Sequence, residues 1–352
     1  MKLAELVVAG MPLLMKKYGH KLTANQRQAL NAIVDCRTGA LGSTLMRCDD
    51  CHREQYRHRS CGHRSCPQCQ HHANGAWLAR QQARLLPVSY FMVTFTLPAE
   101  LRPLAYANPK AVYNAMFDIA VSTLNTFAKN DRRLNGQPGA CAILHTHSRQ
   151  LDYHPHVHLI VPGCAMNRKR KQWQKLKGDY LFNGKLLAIV FRARMLEAIK
   201  QLSLILPNHL PEEWNTQCKY VGKGLPVLKY LSRYLYRGVI NEKDLLHLDQ
   251  DQLMVTFGYL HSKSGEYRRR TLPIADFLWR IMMQVLPKGF RRVRDYGLLH
   301  GNAKSRLILL QVILRVKTLP TIPGVIPAYV CTACQSAMRL IRFIEPGRYQ
   351  PH

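Results

Sequence analysis

The chain reads as an α+β protein, an antiparallel sheet with helices packed on one face, preceded by a small zinc-binding region. Three observations carry that reading. Apolar runs of strand length and amphipathic runs of helix length follow the order strand, helix, hairpin, helix, helix, which suits segregated layers. The stretch from Cys36 to His72 is rich in Cys, His and Arg and poor in aliphatics, so a metal and not apolar burial must organise it. A length of 352 residues allows two or three domains, each with its own core.

The elements follow in order. Residues 1–14 are apolar but carry Glu5 and lack a small-residue cleavage site, so they predict an amphipathic helix and not a signal peptide. Residues 22–35 predict a second helix, with Thr23 and Gln26 as a capping box and Leu30, Ile33 and Val34 as an apolar stripe. A helical run at 75–86 leads out of the cysteine-rich stretch. Residues 90–97, bounded by Pro87 and Pro98, read as a buried strand. A helix at 110–128 places Val112, Met116, Ile119 and Phe127 on one face, and strands at 140–147 and 156–161 follow, joined by a short polar turn. After a basic stretch come a helix around 190–205, a loop, and a helix at 226–237 bounded by Pro226 and Gly238. A hairpin around Ser264-Gly265 precedes a basic region ending in Cys331-Thr-Ala-Cys334. Three segments result: a helical and zinc-binding N-terminal domain (1–86), a central domain (87–245), and a basic C-terminal region (246–352) that could complete the central one.

Charge narrows the function. Lys and Arg total 51 against 21 Asp and Glu, a formal net charge of +30. A compact metabolic enzyme would suffer self-repulsion at that excess, and a nucleic acid is the natural polyanionic partner. No amphipathic basic helix or lipidation motif supports a membrane-surface protein, and no stretch approaches the roughly twenty apolar residues that span a bilayer. Six of the 11 cysteines stand in CxxC pairs, more typical of zinc sites in a reducing compartment than of disulfides, so a cytoplasmic protein is expected.

Cys48-Asp-Asp-Cys51 and Cys66-Pro-Gln-Cys69 are two such pairs, and four thiolates in tetrahedral array describe a structural zinc site. Cys36, Cys61, His63 and His72 could complete a second site or substitute for a ligand. The Cys331/Cys334 pair lacks an obvious partner pair. Arg47, Arg53, Arg57, Arg59 and Arg64 surround the ligands and suit DNA contact.

Catalytic chemistry points to histidines and tyrosines. Residues two apart on a strand share a face, so His156 and His158 project together while Val157, Leu159 and Val161 turn to the core. A third metal ligand must come from a neighbouring element: His145 on the preceding strand, His147 on the same face, or His154 at the strand entrance. On the helix at 226–237, Tyr230 and Tyr234 lie one above the other with Arg233 and Arg237 beside them, opposite a stripe of Leu228, Leu231 and Leu235. A phenol with a pKa near about 10 is a weak nucleophile. A divalent ion held by histidines could polarise a phosphodiester, and adjacent arginines could stabilise the charge that develops on phosphorus. The parts suggest a metal-dependent nuclease that cuts single-stranded DNA through a covalent tyrosine link. Arg168, Lys169, Arg170, Lys171, Arg237, Arg291 and Arg292 are candidates for DNA contact.

These residues resemble the two-tyrosine HUH transposases of rolling-circle insertion sequences. The matching segments are Phe91-Met-Val-Thr-Phe-Thr-Leu-Pro98, Leu144-His-Thr146, His154-Pro-His-Val-His-Leu-Ile-Val-Pro-Gly163 and Tyr230-Leu-Ser-Arg-Tyr234. Leu286-Pro-Lys-Gly-Phe-Arg-Arg-Val-Arg294 and Tyr296-Gly-Leu298 follow in the family's order, and Ser60-Cys-Gly-His-Arg-Ser-Cys-Pro-Gln-Cys-Gln70 resembles its zinc-binding domain. The resemblance spans about residues 20–310. It implies a ferredoxin-like sheet with the two histidines on its central strand, and residues 87–245 as the catalytic domain. It also implies catalytic Mg²⁺ or Mn²⁺, structural Zn²⁺, and single-stranded DNA at element ends and target as substrate. Tyr234 or Tyr230 would form a 5′-phosphotyrosine and release a 3′-OH, and the second tyrosine would cut another strand while the first stays linked. Related relaxases carry a third histidine upstream of the pair, which supports His145, although His147 and His154 remain alternatives. A bacterial, nucleoid-associated protein with no nucleotide cofactor is expected.

Three competing readings explain less. A plasmid relaxase or replication initiator shares the chemistry but would usually bring a helicase or partner-binding domain, and no nucleotide-binding loop is present. A non-catalytic zinc-finger protein accounts for charge and cysteines but leaves the tyrosine helix without purpose. A carboxylate-type transposase needs an acidic triad, and none stands out.

Overall fold

The computed structural model describes residues 1–69, 77–167, 172–224, 240–261, 264–316 and 329–346. The helices, in chain order, are α1 (Leu3–Tyr18), α2 (Ala24–Asp35), α3 (Arg102–Ala107), α4 (Pro109–Asn130), α5 (Gly184–Gln201), α6 (Ile274–Met282) and α7 (Lys304–Ile313). The first strands are β1 (Ser43–Cys48), β2 (Glu54–His58), β3 (Ser89–Thr96), β4 (Gln137–Pro138), β5 (Ala140–His147), β6 (Tyr153–Pro162) and β7 (Cys164–Asn167). They are followed by β8 (Gln172–Lys175), β9 (Thr216–Lys223), β10 (Leu245–Asp249), β11 (Met254–Leu260), β12 (Tyr267–Pro273), β13 (Val293–Tyr296) and β14 (Met338–Ile344).

The chain forms two compact units. One comprises Arg80–Leu235 and Leu286–Pro320; the other comprises Met1–Ala79, Tyr236–Val285 and Thr321–His352. The C-terminal region expected as a single segment, 246–352, is therefore shared out. Leu286 and Phe290 join the core of the first unit, whereas α6 and β14 pack in the second.

The first unit carries a five-stranded sheet in the order β13-β5-β6-β3-β9, antiparallel throughout. Its run β3-α4-β5-β6-α5-β9, with β4, β7 and β8 set aside in a separate small sheet, places these four strands in the order 2-3-1-4, which is the ferredoxin-like arrangement with β13 added at one edge. Strand alternation sets the two faces. Phe91, Val93, Phe95, Val157, Leu159, Val161, Ala142 and Leu144 bury one face against Val112, Met116 and Phe117 of α4 and Leu187, Phe191 and Met195 of α5. Each large apolar side chain so buried contributes about 1.5–3 kcal/mol, which fixes the register, because a one-residue slip would turn the whole set outward. The opposite face receives Thr94, His145, His156 and His158.

Helix and strand limits follow local chemistry. Pro109 opens α4 at its first turn, where a missing N–H costs nothing. The side chain of Asn183 accepts from the Lys185 and Leu186 N–H groups, so α5 starts ahead of the expected 190. Strand β9 falls within the stretch read as a loop. It is a sheet edge without apolar alternation, exposed at four of its eight positions, and pairing with β3 alone makes it a strand.

In the second unit, α1 packs on α2 and α6, α6 packs on β11 and β12 of the sheet β10-β11-β12, and β14-β1-β2 forms a further sheet. The capping box on α2 is formed: Gln26 N–H donates to Thr23 Oγ1 at 3.3 Å, and Thr23 N–H to Gln26 Oε1 at 2.9 Å. Gly10 lets α1 approach α6 closely, since a Cβ there would lie 2.7 Å from Ile274 and Leu278 side-chain carbons. At the far end of the same contact Tyr18 stacks on Trp279 (4.8 Å, 5°), and Lys17 and Tyr18 both donate to Asp276. The hairpin expected at Ser264-Gly265 joins β11 to β12, with Gly265 at φ +72°.

Candidate metal centres and active site

Cross-strand register brings the histidines together. His145 on β5 pairs with His156 on β6, and His158 lies two residues further on β6, on the same face. The ring centroids are 5.3 Å apart for His145 and His156, 4.7 Å for His145 and His158, and 4.8 Å for His156 and His158. One nitrogen from each ring lies within 4.8 Å of the others.

On two of the three rings the second nitrogen has a partner that leaves the other free. His156 Nδ1 lies 2.6 Å from the His154 carbonyl, which can only accept, so Nδ1 carries the proton and Nε2 keeps its lone pair. His158 Nδ1 lies 2.9 Å from Thr94 Oγ1. His145 Nε2 is buried without any hydrogen-bond partner, an orphan that a metal ion would satisfy. The outer partners orient the rings as in protein metal sites generally.

Electrostatics fit the same role. Burial first, then the neighbouring His158, holds His145 and His156 well below the ordinary imidazole range. Burial and the Arg292 guanidinium bring His158 down to about 4. The three rings are thus neutral at neutral pH, with lone pairs available for a cation. A cation held by three imidazoles would keep coordination positions for oxygen ligands.

The alternatives for the third ligand stand elsewhere. His154 Nδ1 accepts from Arg102 Nη2 at 2.8 Å and is occupied. The His147 ring lies 6.4 Å from that of His145 and outside the close group. Arg292 donates through Nε to the Leu144 carbonyl at 3.0 Å, and its charge also presses on His145 and His147. Arg291 beside it is exposed. Thr94 and Arg102 were missed in the sequence; strand alternation from Phe91, Val93 and Phe95 would have placed Thr94 on the histidine face. Tyr230, Arg233, Tyr234 and Arg237 lie outside the described residues, as do Arg168, Lys169, Arg170 and Lys171.

The cysteines assemble differently from the expectation that Cys48, Cys51, Cys66 and Cys69 share one zinc. Cys66 and Cys69 meet Cys36, at the end of α2, and Cys61, while Cys48 and Cys51 meet Cys331 and Cys334. The reason is the sheet: β14 pairs with β1 and delivers the second CxxC to the first, a pairing with no local signature. Cys36 and Cys61, considered above for a second site, complete the Cys66/Cys69 group; His63 stands outside it, and His72 lies outside the described residues.

Within the first group Cys69 Sγ lies 3.5 Å from both Cys36 and Cys61 Sγ. A tetrahedral zinc tetrathiolate has sulfur–sulfur edges of about 3.8 Å, whereas a disulfide bond measures about 2.05 Å. Crowded thiols cannot all ionise unaided. Burial, with Cys69 and Cys36 adjacent, pushes Cys61 up to about 12 and Cys66 higher still. Cys69, against its own burial, is drawn below the ordinary thiol range by the Cys36 and Cys61 thiols. A dication lets all four become thiolates, so the group fits structural zinc.

Residues 139–306 match a family described as "Putative transposase", and residues 9–97 match "Transposase zinc-binding domain". The "Putative transposase y4qJ" of Sinorhizobium fredii (strain NBRC 101917 / NGR234) is 32% identical over 304 residues, 80% of this chain and 76% of its own. The transposase for insertion sequence element IS801 of Pseudomonas savastanoi pv. phaseolicola is 28% identical over 291 residues, 77% of this chain and 70% of its own. Among solved structures, conjugative relaxase TrwC in complex with mutant oriT DNA is 18% identical over 36% of this chain, with a TM-score of 0.27. That match spans about half (48%) of the relaxase chain. TrwC complexed with a 27-mer DNA comprising the recognition hairpin and cleavage site covers 65% of this chain and 75% of its own, at 12% identity and a TM-score of 0.26.

Proposed function

From the premise that the chain belongs to the insertion-sequence transposases, shown by its relatives, we propose that it cleaves and rejoins single-stranded DNA through a 5′-phosphotyrosine. The observation that carries this reading is the neutral trio His145, His156 and His158, with Arg292 beside it, on the sheet face opposite the apolar core.

In this mechanism Tyr230 or Tyr234 is the nucleophile. Its phenolic oxygen bonds to phosphorus as the P–O3′ bond breaks; the phenol proton is lost to solvent and the departing 3′ oxygen gains one. A divalent ion bound by the three histidines supplies Lewis-acid polarisation of the scissile phosphate. The all-imidazole donor set favours Mn²⁺ over Mg²⁺. Arg292, with Arg233 and Arg237, stabilises charge on the transferring phosphoryl group. Arg168, Lys169, Arg170, Lys171 and Arg291 track the DNA backbone. Because the phosphotyrosine conserves a phosphate ester, a 3′-OH can attack it to rejoin or transfer the strand without a nucleotide cofactor. The second tyrosine allows a second cut while the first strand stays attached.

Among the described residues no helix is long and apolar enough to cross a membrane. A place on cytoplasmic, nucleoid DNA belongs to the same proposal. Family membership favours a transposase over a relaxase or replication initiator, and a purely DNA-binding protein leaves the histidine trio unexplained.

Full-length protein with Mn²⁺ should cut a single-stranded oligonucleotide bearing the element end and leave the fully paired duplex intact. The double substitution His156→Ala with His158→Ala should abolish cutting while zinc content and folding persist. Undiminished cutting by that variant would remove the histidines from the chemistry.

A further inference from the structure

The second cysteine group joins segments from opposite ends of the sequence. Strand β14 pairs with β1 from Ser43 opposite Ile344 to Cys48 opposite Met338. Beyond the pairing, Cys48-Asp-Asp-Cys51 and Cys331-Thr-Ala-Cys334 have the same local geometry. In each, the first cysteine donates its N–H to the carbonyl five residues on, Cys48 to Arg53 at 2.9 Å and Cys331 to Ser336 at 2.8 Å. In each, the residue after the second cysteine takes a left-handed conformation, His52 at φ +56° and Gln335 at φ +63°. The two turns face one another, with Cys48 Sγ 3.4 Å from Cys334 Sγ and Cys51 Sγ 3.6 Å from Cys331 Sγ.

Apolar burial does not hold these turns. Their shared cluster is Met46, Cys48, Cys331 and Met338, two of whose four members are themselves the cysteines. Polar ties at the exposed rim also cross the contact: Ser336 donates to Asp50, Gln55 to Thr332, and Arg339 pairs with Asp49 at 3.2 Å. Four convergent thiols, two buried and two exposed, join the two turns where the strand pairing ends.

We propose that Cys48, Cys51, Cys331 and Cys334 bind a second structural Zn²⁺, a clasp that makes the C-terminal strand part of the zinc-binding unit. The N-terminal segment 9–97 is then incomplete by itself, because half of one metal centre is supplied from beyond residue 330. Zinc completes this site only once the C-terminal pair has been synthesised. The clasp is independent of the tyrosine chemistry and stands or falls without it.

Zinc counting on the full-length protein tests it. Native mass spectrometry and metal analysis should give two Zn²⁺ per wild-type chain, and one each in Cys331→Ser with Cys334→Ser and in Cys66→Ser with Cys69→Ser. If the first variant does not fold, the wild-type zinc count together with X-ray absorption decides, since two zinc ions at about four sulfurs each require both cysteine groups. Alkylation adds a site-specific reading: the exposed Cys51 and Cys334 should resist modification until a chelator is added. A single zinc in the wild type, two in the Cys331/Cys334 variant, a mean sulfur number near about three, or free alkylation of Cys334 in the zinc-loaded protein would overturn the proposal.

Discussion

Two histidines of the trio are set by the atom behind them, and the third is set by burial. The His154 carbonyl fixes the tautomer of His156, Thr94 backs His158, and His145 presents a buried nitrogen that nothing else satisfies. Mn²⁺ titration by calorimetry should therefore show His145→Ala losing binding as completely as His156→Ala, while His154→Ala retains it, since Arg102 occupies His154. Retained binding in His145→Ala, or its loss in His154→Ala, would reassign the third ligand. Thr94→Val keeps the shape but removes the oxygen that orients His158. Its Mn²⁺ affinity should fall about 10- to 100-fold, the usual effect of losing an outer partner, and an unchanged affinity would show that Thr94 does not orient the ring. His156 and His158 were legible from spacing two on a strand. Arg292 behaves differently: its place beside the histidines depends on β13 pairing with β5, about 150 residues away in sequence, and no local pattern encodes that.

At the scale of elements, strong local signals were read closely. Strand β3 between its prolines, helix α4 with its apolar stripe and the capping box of α2 all stand within about two residues of expectation. Strands β9 and β14 were missed because neither alternates: both are exposed edge strands whose existence depends on a partner distant in sequence. The contact of α1 with α6 also carries a pH signature. Burial tends to raise Asp276, but hydrogen bonds from Lys17 and Tyr18 outweigh it and hold its carboxyl below the ordinary range. A carboxyl depressed on folding stabilises the fold above its unfolded pKa of about 3.9, and that contribution fades as pH falls through the lower folded value. Asp276→Asn should accordingly melt earlier than wild type at pH 6–7, and the gap should close towards pH 2–3. A gap independent of pH would assign the effect to lost hydrogen bonding alone.

For the whole molecule, a net charge of +30 marked a polyanion partner from composition alone, and the family assignment agrees. If the DNA backbone supplies most of the affinity, log Kd for single-stranded DNA should rise linearly with log salt, by about 0.7 per phosphate contacted, in fluorescence anisotropy. A flat salt response would argue that the basic residues serve another purpose. Zinc binding was legible in the CxxC pairs, but the grouping was not, because sheet pairing between chain ends decides which thiols meet. The central claim concerns a covalent bond, and one measurement reaches it directly. Full-length protein is incubated with Mn²⁺ and a single-stranded element end, denatured, digested and analysed by mass spectrometry for a nucleotide-bearing peptide. The account predicts a phosphate linkage at Tyr230 or Tyr234, absent from the Tyr230→Phe, Tyr234→Phe double variant. A linkage at another residue, or one persisting in that variant, would contradict it.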